Sequence, residues 1–271
     1  MAYVNMKVIM KNSIEVFQYY SGRIGKNIVN GPASGKTTER QLKWQDKKAA
    51  RLLRFKLNQN FQKGDLWLTL TYPAQTAIEI EKARKDMSLF LVNMRRAYKK
   101  QGIAFKYIYV AGRSKRGMVH FHMVVNKFDL EYISDLWRRI SSGRIHCEAL
   151  YGIDFKKLAD YLIKNTRETF YSQTKVYKKR FCESLNLEMP KIEKTISSAR
   201  MWKKEPKALK GYVLDKNSIY DGHGWMDAGG QWDSCRVRHY TMFRTDAIYK
   251  YRRGRRIYKL PDLPVDDIDD F

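Results

Sequence analysis

The sequence from Gly117 to Asn126 reads GMVHFHMVVN and places two histidines, one residue apart, within an apolar run. Such a run is typical of a β-strand, on which successive side chains point to opposite faces. His120 and His122 are therefore expected on one face, with Phe121 in the core on the other. Two adjacent imidazoles fill a core poorly, but they are suitable ligands for a metal ion. The stretch predicts a strand that carries a candidate metal site.

The residues on both sides of this strand predict an alternation of strands and helices. Strands are predicted at 66–72, 103–111 and 144–150, and helices at 76–100, 129–140 and 155–166, the last capped by Asp154. The polar turn 112–117 joins the strand 103–111 to the histidine strand as a β-hairpin. The first six elements follow the split βαβ pattern of ferredoxin-like and RRM-like folds. We therefore predict an α+β fold with an antiparallel sheet and flanking helices, in which the strand 66–72 and the histidine strand are central neighbours.

The first 60 residues predict two short strands, at 3–10 and 14–20, and a basic helix at 38–60. Thr38 and Gln41 have the spacing of a capping box at the start of this helix. Its cations alternate with apolar positions, which predicts either a solvated basic face or a surface that follows a phosphate backbone. The loop before it contains GPASGKT at Gly31–Thr37, but its glycines are one residue too close for a phosphate-binding P-loop.

The pattern beyond residue 166 is less regular. A basic, aromatic segment at 171–180 precedes a predicted helix at 191–200, a predicted strand at 236–243 and an arginine-rich segment at 249–258. The acidic end, 262–271, is expected to be disordered. These changes predict an N-terminal extension at 1–60, a core at 61–170 and a basic, aromatic C-terminal region at 171–271.

The charge of the chain is strongly positive, with 53 lysines and arginines against 28 acidic residues and a net charge of +25. Such a charge attracts polyanions, of which nucleic acid is the commonest. The three cysteines lack CxxC spacing, which argues against a disulfide framework or zinc ribbon and favours a cytoplasmic protein. No apolar stretch approaches the roughly 20 residues that cross a bilayer, so no membrane association is expected.

Tyr161 and Lys164 share a face of the predicted helix 155–166, because residues three apart are neighbours on a helix. A tyrosine with a free pKa of about 10 is a poor nucleophile. A nearby ammonium group and a metal-polarised phosphodiester would both assist it. Alone, this spacing also describes an ordinary tyrosine at the edge of a core. Together with the two histidines upstream it becomes a candidate catalytic motif.

Three motifs in this order resemble those of the HUH endonucleases, and more closely the rolling-circle replication initiators of bacterial plasmids and small phages. The strand Leu68–Tyr72 resembles the first motif of that family, HFH at 120–122 resembles its metal-binding motif, and YLIK at 161–164 resembles its nucleophile motif. The resemblance covers residues 66 to 166. It implies the fold predicted above and a site-specific DNA endonuclease.

The resemblance also implies roles for individual residues. His120 and His122 would ligate Mg²⁺ or Mn²⁺ at the scissile phosphate of a single-stranded or hairpin origin. Tyr161 would attack it, leaving a 5′-phosphotyrosine and a free 3′-OH for a polymerase, while Lys164 assists electrostatically. A host or separate helicase is the further implied partner. The residues expected to contact the DNA are Thr69, Thr71, Arg113, Lys115 and Arg116.

One position departs from the pattern of the family, which often supplies a third metal ligand, frequently glutamate, just before the turn. Gly112 occupies that place here. His146 and Glu148 share a face of the strand 144–150 and are candidate substitutes, although this strand is expected to lie beyond the strand 66–72. Otherwise water or a DNA oxygen completes the site, or metal binding is weakened.

Two other functions remain open. Split βαβ sheets with exposed aromatic residues also bind single-stranded nucleic acid by stacking, without catalysis. A relaxase or transposase would use the same chemistry as a replication initiator, and only its DNA substrate would distinguish it.

Overall fold

The computed structural model describes residues 2–21, 38–73, 78–114, 116–171, 179–197, 205–227 and 232–248. These residues form two compact units. The central unit is drawn from Lys43–Glu188, and the terminal unit combines the described residues up to Leu42 with those between 189 and 248. Whether 1–60, 61–170 and 171–271 are separate domains stays a prediction. The loop 31–37, Lys115, the arginine-rich segment 249–258 and the acidic tail lie outside the described residues.

The helices and strands follow the predicted order through the centre of the chain. They are β1 (Ala2–Ile9), β2 (Ser13–Ser21), α1 (Glu39–Asn60), β3 (Leu66–Thr71), α2 (Ile80–Lys100), β4 (Tyr107–Arg113), β5 (Val119–Val125), α3 (Leu130–Ser141), β6 (Arg144–Ala149), α4 (Lys156–Asn165), α5 (Arg167–Tyr171), β7 (Cys182–Glu183), β8 (Lys191–Ser197), β9 (Tyr212–Leu214), a 3₁₀ helix (Lys216–Ser218), β10 (Tyr220–Asp227) and β11 (Trp232–Arg244).

Local signals account for several element boundaries. The capping box of α1 is confirmed, since the Thr38 amide donates to Gln41 Oε1 at 2.7 Å and the Gln41 amide donates to Thr38 Oγ1 at 3.3 Å. β4 begins four residues later than predicted. The amide of Ile103 still donates to the carbonyl of Tyr98 in the turn that ends α2, and the chain becomes extended only at Tyr107.

The central unit contains an antiparallel sheet with the strand order β6-β3-β5-β4-β7. The predicted neighbours β3 and β5 therefore lie side by side, and β6 lies beyond β3. This arrangement confirms the predicted α+β class with its split βαβ order.

Helices cover both faces of this sheet. On one face, α2 and α3 pack against Leu68, Leu70, Phe121 and Met123, which are all inaccessible to solvent. On the other face, α1 and α4 pack against a second cluster. Its members include Leu53, Leu57, Trp67, Val110, Val124, Leu158 and Leu162. The second face also carries both histidines of β5, so α4 is the helix that can reach them.

The terminal unit contains a sheet with the order β10-β11-β2-β1-β8, in which β9 also pairs with β11. The predicted strand 236–243 is confirmed within β11. The predicted helix at 191–200 is wrong, because Lys191–Ser197 forms β8 and pairs with β1 from Ile9↔Lys191 to Tyr3↔Ser197. Pairing with a strand from the other end of the chain overrides the local helical pattern.

No helix within the described ranges is both long enough and apolar enough to cross a membrane.

Candidate active site

The strand register brings four of the predicted positions together on one face of the central sheet. Thr69 pairs with His122 and Thr71 pairs with His120 between β3 and β5. On the opposite side of β5, Gly112 of β4 pairs with His120. Directly paired residues of an antiparallel sheet share a face. The two histidines therefore lie side by side, with their ring centroids 4.9 Å apart.

His122 is buried, with 1% of its surface exposed. Its Nδ1 hydrogen-bonds Thr69 Oγ1 at 3.0 Å. Burial, with a smaller contribution from His120, holds the pKa of His122 well below its ordinary range. The imidazole is therefore neutral at physiological pH, and one of its nitrogens keeps a lone pair that can bind a metal ion or accept a proton.

Tyr161 of α4 reaches this pair from above the sheet. Its hydroxyl lies 3.4 Å from Nε2 of His122, the nitrogen that Thr69 does not occupy. The tyrosine ring packs edge-on against His122 and against Trp67, with centroid distances of 5.1 and 5.5 Å. The fold thus brings the predicted nucleophile to the predicted metal ligand, although 39 positions separate them in the chain. Trp67 is a contact of Tyr161 that the sequence did not identify.

Gly112 is explained by the space around His120. A Cβ at this position would lie 2.7 Å from His120 Nε2 and 3.2 Å from the carbonyl oxygen of Asn165. Real Cβ atoms do not approach other atoms to 2.7 Å, so any side chain here would displace the imidazole. A glutamate ligand at position 112 is therefore incompatible with this placement of His120.

The two proposed substitute ligands lie elsewhere. His146 and Glu148 project from the edge strand β6, where His146 pairs with Thr69 rather than with a histidine of β5. Their side chains bond each other at 3.3 Å and are largely exposed. In the part of the chain that the structure describes, no group of three or more His, Cys, Asp or Glu side chains could hold a metal ion. Among the described side chains at this site, the two adjacent imidazoles are thus the candidate metal ligands.

The remaining predicted site residues surround this centre. Lys164 is exposed in the last turn of α4, one turn after Tyr161. Arg113 and Arg116 are exposed on either side of position 115, at the turn between β4 and β5. Thr71 directs its hydroxyl to the carbonyl of Arg144 at 3.2 Å. The geometry brings His120, His122, Tyr161 and Thr69 into contact and leaves the cations at the rim.

The start of α4 is held by α1. Asp154 was predicted to cap α4, and this prediction is wrong. Its carboxylate instead accepts two hydrogen bonds from Arg54, at 2.7 and 2.9 Å, and one from Asn58 at 2.9 Å. Asn58 Oδ1 accepts the Phe155 amide at 2.9 Å, so a residue of α1 takes the place of the cap.

The end of α4 is held by Asp46 and Arg180. Arg180 donates to the carbonyl of Ile163 at 2.8 Å and to Thr166 Oγ1 at 2.7 Å, and it forms a largely buried ion pair with Asp46 of α1. Arg167 pairs with the same carboxylate at 2.6 Å. The sequence offered one signal for this cluster, because Asp46 is the single acidic residue between positions 43 and 60 of a helix rich in cations.

One protein-family model matches the region of the chain that contains this site. Residues 65–170 match the model of the ORF2-type "Replication-associated protein" family. The matched region runs from the start of β3 into α5 and so contains both histidines and Tyr161. It covers less than half of the chain and is consistent with a replication protein. No curated protein and no solved structure is significantly similar to the chain.

Proposed function

We propose that this protein is a metal-dependent endonuclease that nicks and rejoins single-stranded DNA to initiate rolling-circle replication. One observation carries the proposal: the Tyr161 hydroxyl lies 3.4 Å from Nε2 of a buried His122, beside His120. A hydroxyl held against one of two adjacent imidazoles is suited to attack on a phosphodiester. The match to a replication-associated family supports the biological role.

In the proposed reaction, Oη of Tyr161 attacks the scissile phosphorus. The bond between phosphorus and the 3′ oxygen breaks as the Oη–phosphorus bond forms. The proton that the phenol loses is balanced by the proton that the leaving 3′ oxygen gains. The products are a 5′-phosphotyrosine and a free 3′-OH, and attack by a 3′-OH in the reverse direction rejoins the strand.

The residues present fit a divalent ion that takes only part of its coordination from the protein. His122 is neutral, and the two imidazoles share a face. Mg²⁺ and Mn²⁺ prefer oxygen ligands, which water and the DNA phosphate would supply. Bound there, the ion would neutralise charge on the phosphate oxygens. Lys164, one turn from Tyr161, would add positive charge at the same end of α4.

The test is the covalent adduct. Wild-type protein, an origin-derived single-stranded oligonucleotide and Mn²⁺ are expected to give a protein–DNA adduct that maps to Tyr161. Tyr161→Phe should abolish the adduct and leave binding largely intact. Tyr151→Phe, which changes an exposed tyrosine outside the site, is the matched control and should form the adduct normally. An undiminished adduct with Tyr161→Phe would remove Tyr161 from this role.

The metal requirement is tested in the same assay. EDTA should prevent adduct formation, and His120→Ala should raise the Mn²⁺ concentration required or abolish cleavage. Cleavage that is unchanged in EDTA would contradict the metal-dependent reaction.

The two-nitrogen ligand set favours one alternative, a protein that binds single-stranded DNA without cutting it. Binding without any adduct or strand break, across Mg²⁺ and Mn²⁺, would support this alternative. A relaxase or transposase would instead form the adduct on a different DNA substrate.

A further inference from the structure

We infer that the outer face of α1 is a binding surface for the DNA phosphate backbone next to the scissile site. The surface, called the α1 basic stripe, consists of Lys43, Lys47, Lys48 and Arg51. The inference rests on the proposed function for the identity of the DNA, and it adds a contact surface that lies outside the family match.

Charge is separated around α1. All four cations of the stripe are exposed, whereas Asp46 turns inward to Arg180. Lys43, Lys47 and Arg51 are spaced four residues apart, so they form one row along the helix. A row of exposed cations along one face of a helix gives a local positive field that attracts a polyanion.

The stripe lies on the part of α1 that surrounds Asp46. Asp46 pairs with Arg167, just after the end of α4. At this end of α4 the carbonyl of Asn165 approaches Gly112, next to His120, and Thr169 Oγ1 donates to the carbonyl of Ala111 at 2.7 Å. The stripe therefore lies at the end of the unit that carries His120, within one to two turns of Asp46.

Helices α1 and α4 are joined at both ends. The Asp46 cluster joins them at one end, and Arg54 and Asn58 join them to Asp154 at the other. Asp46 is linked to the end of α4 through Arg167 and Arg180, and Arg54 is linked to its start through Asp154. The two helices therefore run in opposite directions. Phosphates held by the stripe would thus be held at a fixed position relative to Tyr161.

The experiment measures the salt dependence of DNA binding. The probe is a fluorescein-labelled oligothymidylate of roughly 30 nucleotides, which exceeds the site size of common single-strand binders. Fluorescence anisotropy is recorded in EDTA over a range of salt concentrations. Replacing the whole stripe with glutamine should make the slope of log K against log salt shallower. The expected change is about 0.7 for each phosphate that the stripe no longer neutralises, hence up to roughly 3.

The matched control removes the same charge from the opposite face of the sheet. The control variant changes four of the exposed cations of α2, namely Lys85, Arg96, Lys99 and Lys100. Replacing these with glutamine should leave the slope unchanged. A second variant, with the three lysines of the stripe replaced by arginine, should also keep the slope, and circular dichroism verifies that each variant is folded.

Two results would overturn the inference. One is an unchanged slope in the glutamine variant of the stripe. The other is an equal reduction of the slope in the α2 variant, which would show that only net charge matters. Binding is measured without cleavage. Failure of the wild type to form an adduct would therefore contradict the proposed function and leave the inference about the α1 basic stripe standing. Normal adduct formation together with an unchanged slope would remove the inference alone.

Discussion

Thr69 and His122 face each other on neighbouring strands, and their side chains are hydrogen-bonded at 3.0 Å. A histidine that binds metal through one nitrogen usually donates the other N–H to a neighbouring acceptor, which fixes the tautomer. Thr69 Oγ1 is placed to accept from Nδ1 and to leave Nε2 facing Tyr161. The threonine is therefore a positioning residue for His122 as well as a predicted DNA contact.

Thr69→Val keeps the shape of the side chain and removes its hydroxyl. We expect a roughly 10- to 100-fold loss in the affinity for Mn²⁺ or in the rate of adduct formation. Thr69→Ser should restore most of the activity. Thr195→Val, on an exposed strand of the terminal unit, is the control. In ¹⁵N NMR of the metal-free proteins, we expect a mixture of His122 tautomers in Thr69→Val and a single tautomer in the wild type, Thr69→Ser and Thr195→Val. A Thr69→Val spectrum identical to that of the wild type would rule out the positioning role.

Gly112→Ala is expected to act through His120. The added Cβ would lie 2.7 Å from Nε2 of His120, at the end of a side chain that can move, and 3.2 Å from the carbonyl oxygen of Asn165, which needs only a small shift. The fold should therefore survive while the imidazole is displaced. Adduct formation should fall in Gly112→Ala. The double variant with Gly112→Ala and His120→Ala should form as much adduct as His120→Ala, because it has no imidazole at position 120 to displace. Additive losses would show a separate role for Gly112.

At the scale of the element, α4 depends on side chains that come from outside it. Its first turn receives Asn58 of α1, and its last carbonyls receive Arg180. The Arg180 guanidinium is charged and largely removed from water. Hydrogen bonds from charged groups are stronger than neutral ones, and an unpaired charge in such a place is costly. The position of Tyr161 over His122 therefore depends on α1 and on the loop before β7.

Asp46→Asn tests the cluster at the end of α4. The substitution leaves the largely buried Arg180 without this countercharge, and breaking such a pair is expected to cost about 3 kcal/mol in the free energy of unfolding. Asp160→Asn is the control, because its pair with Lys156 lies on the exposed face of the same helix. Urea unfolding of the control should change by less than about 1 kcal/mol. Equal effects in the two variants would show that the Asp46 cluster has no special role.

At the scale of the whole molecule, the described segments before and after the central unit pair with each other in the terminal unit. β1 pairs with β8 and β2 pairs with β11, so the terminal unit requires segments from both sides of the central one. The central unit requires α1 and Arg180 in addition to the segment that matches the replication-associated family. The matched segment is therefore smaller than the unit that holds the site.

Two fragments test this arrangement. A fragment of residues 43–188 should unfold in urea in one cooperative transition, since it contains both clusters that cover the central sheet. A fragment of residues 61–170 lacks Leu53, Leu57 and Arg180, so its transition should move to lower urea or disappear. Equal midpoints for the two fragments would show instead that 61–170 is a sufficient domain.

The sequence alone determined the features that depend on short-range pattern. The two-residue alternation of a strand put His120 with His122 and Thr69 with Thr71, and the order of elements predicted β3 beside β5. Tyr161 was identified by its helical spacing to Lys164 and its place after the histidines. These conclusions could be reached because side-chain direction repeats with the local geometry of the backbone.

Only the tertiary structure decided how these parts meet. It brought Tyr161 to Nε2 of His122, placed the carbonyl of Asn165 where a side chain at position 112 would go, and paired Asp46 with Arg180. It also made 191–197 a strand, against the local pattern. Each of these outcomes joins residues that are distant in the chain. Their contacts depend on strand register and on how helices pack across a sheet, and no local repeat of the sequence records either one.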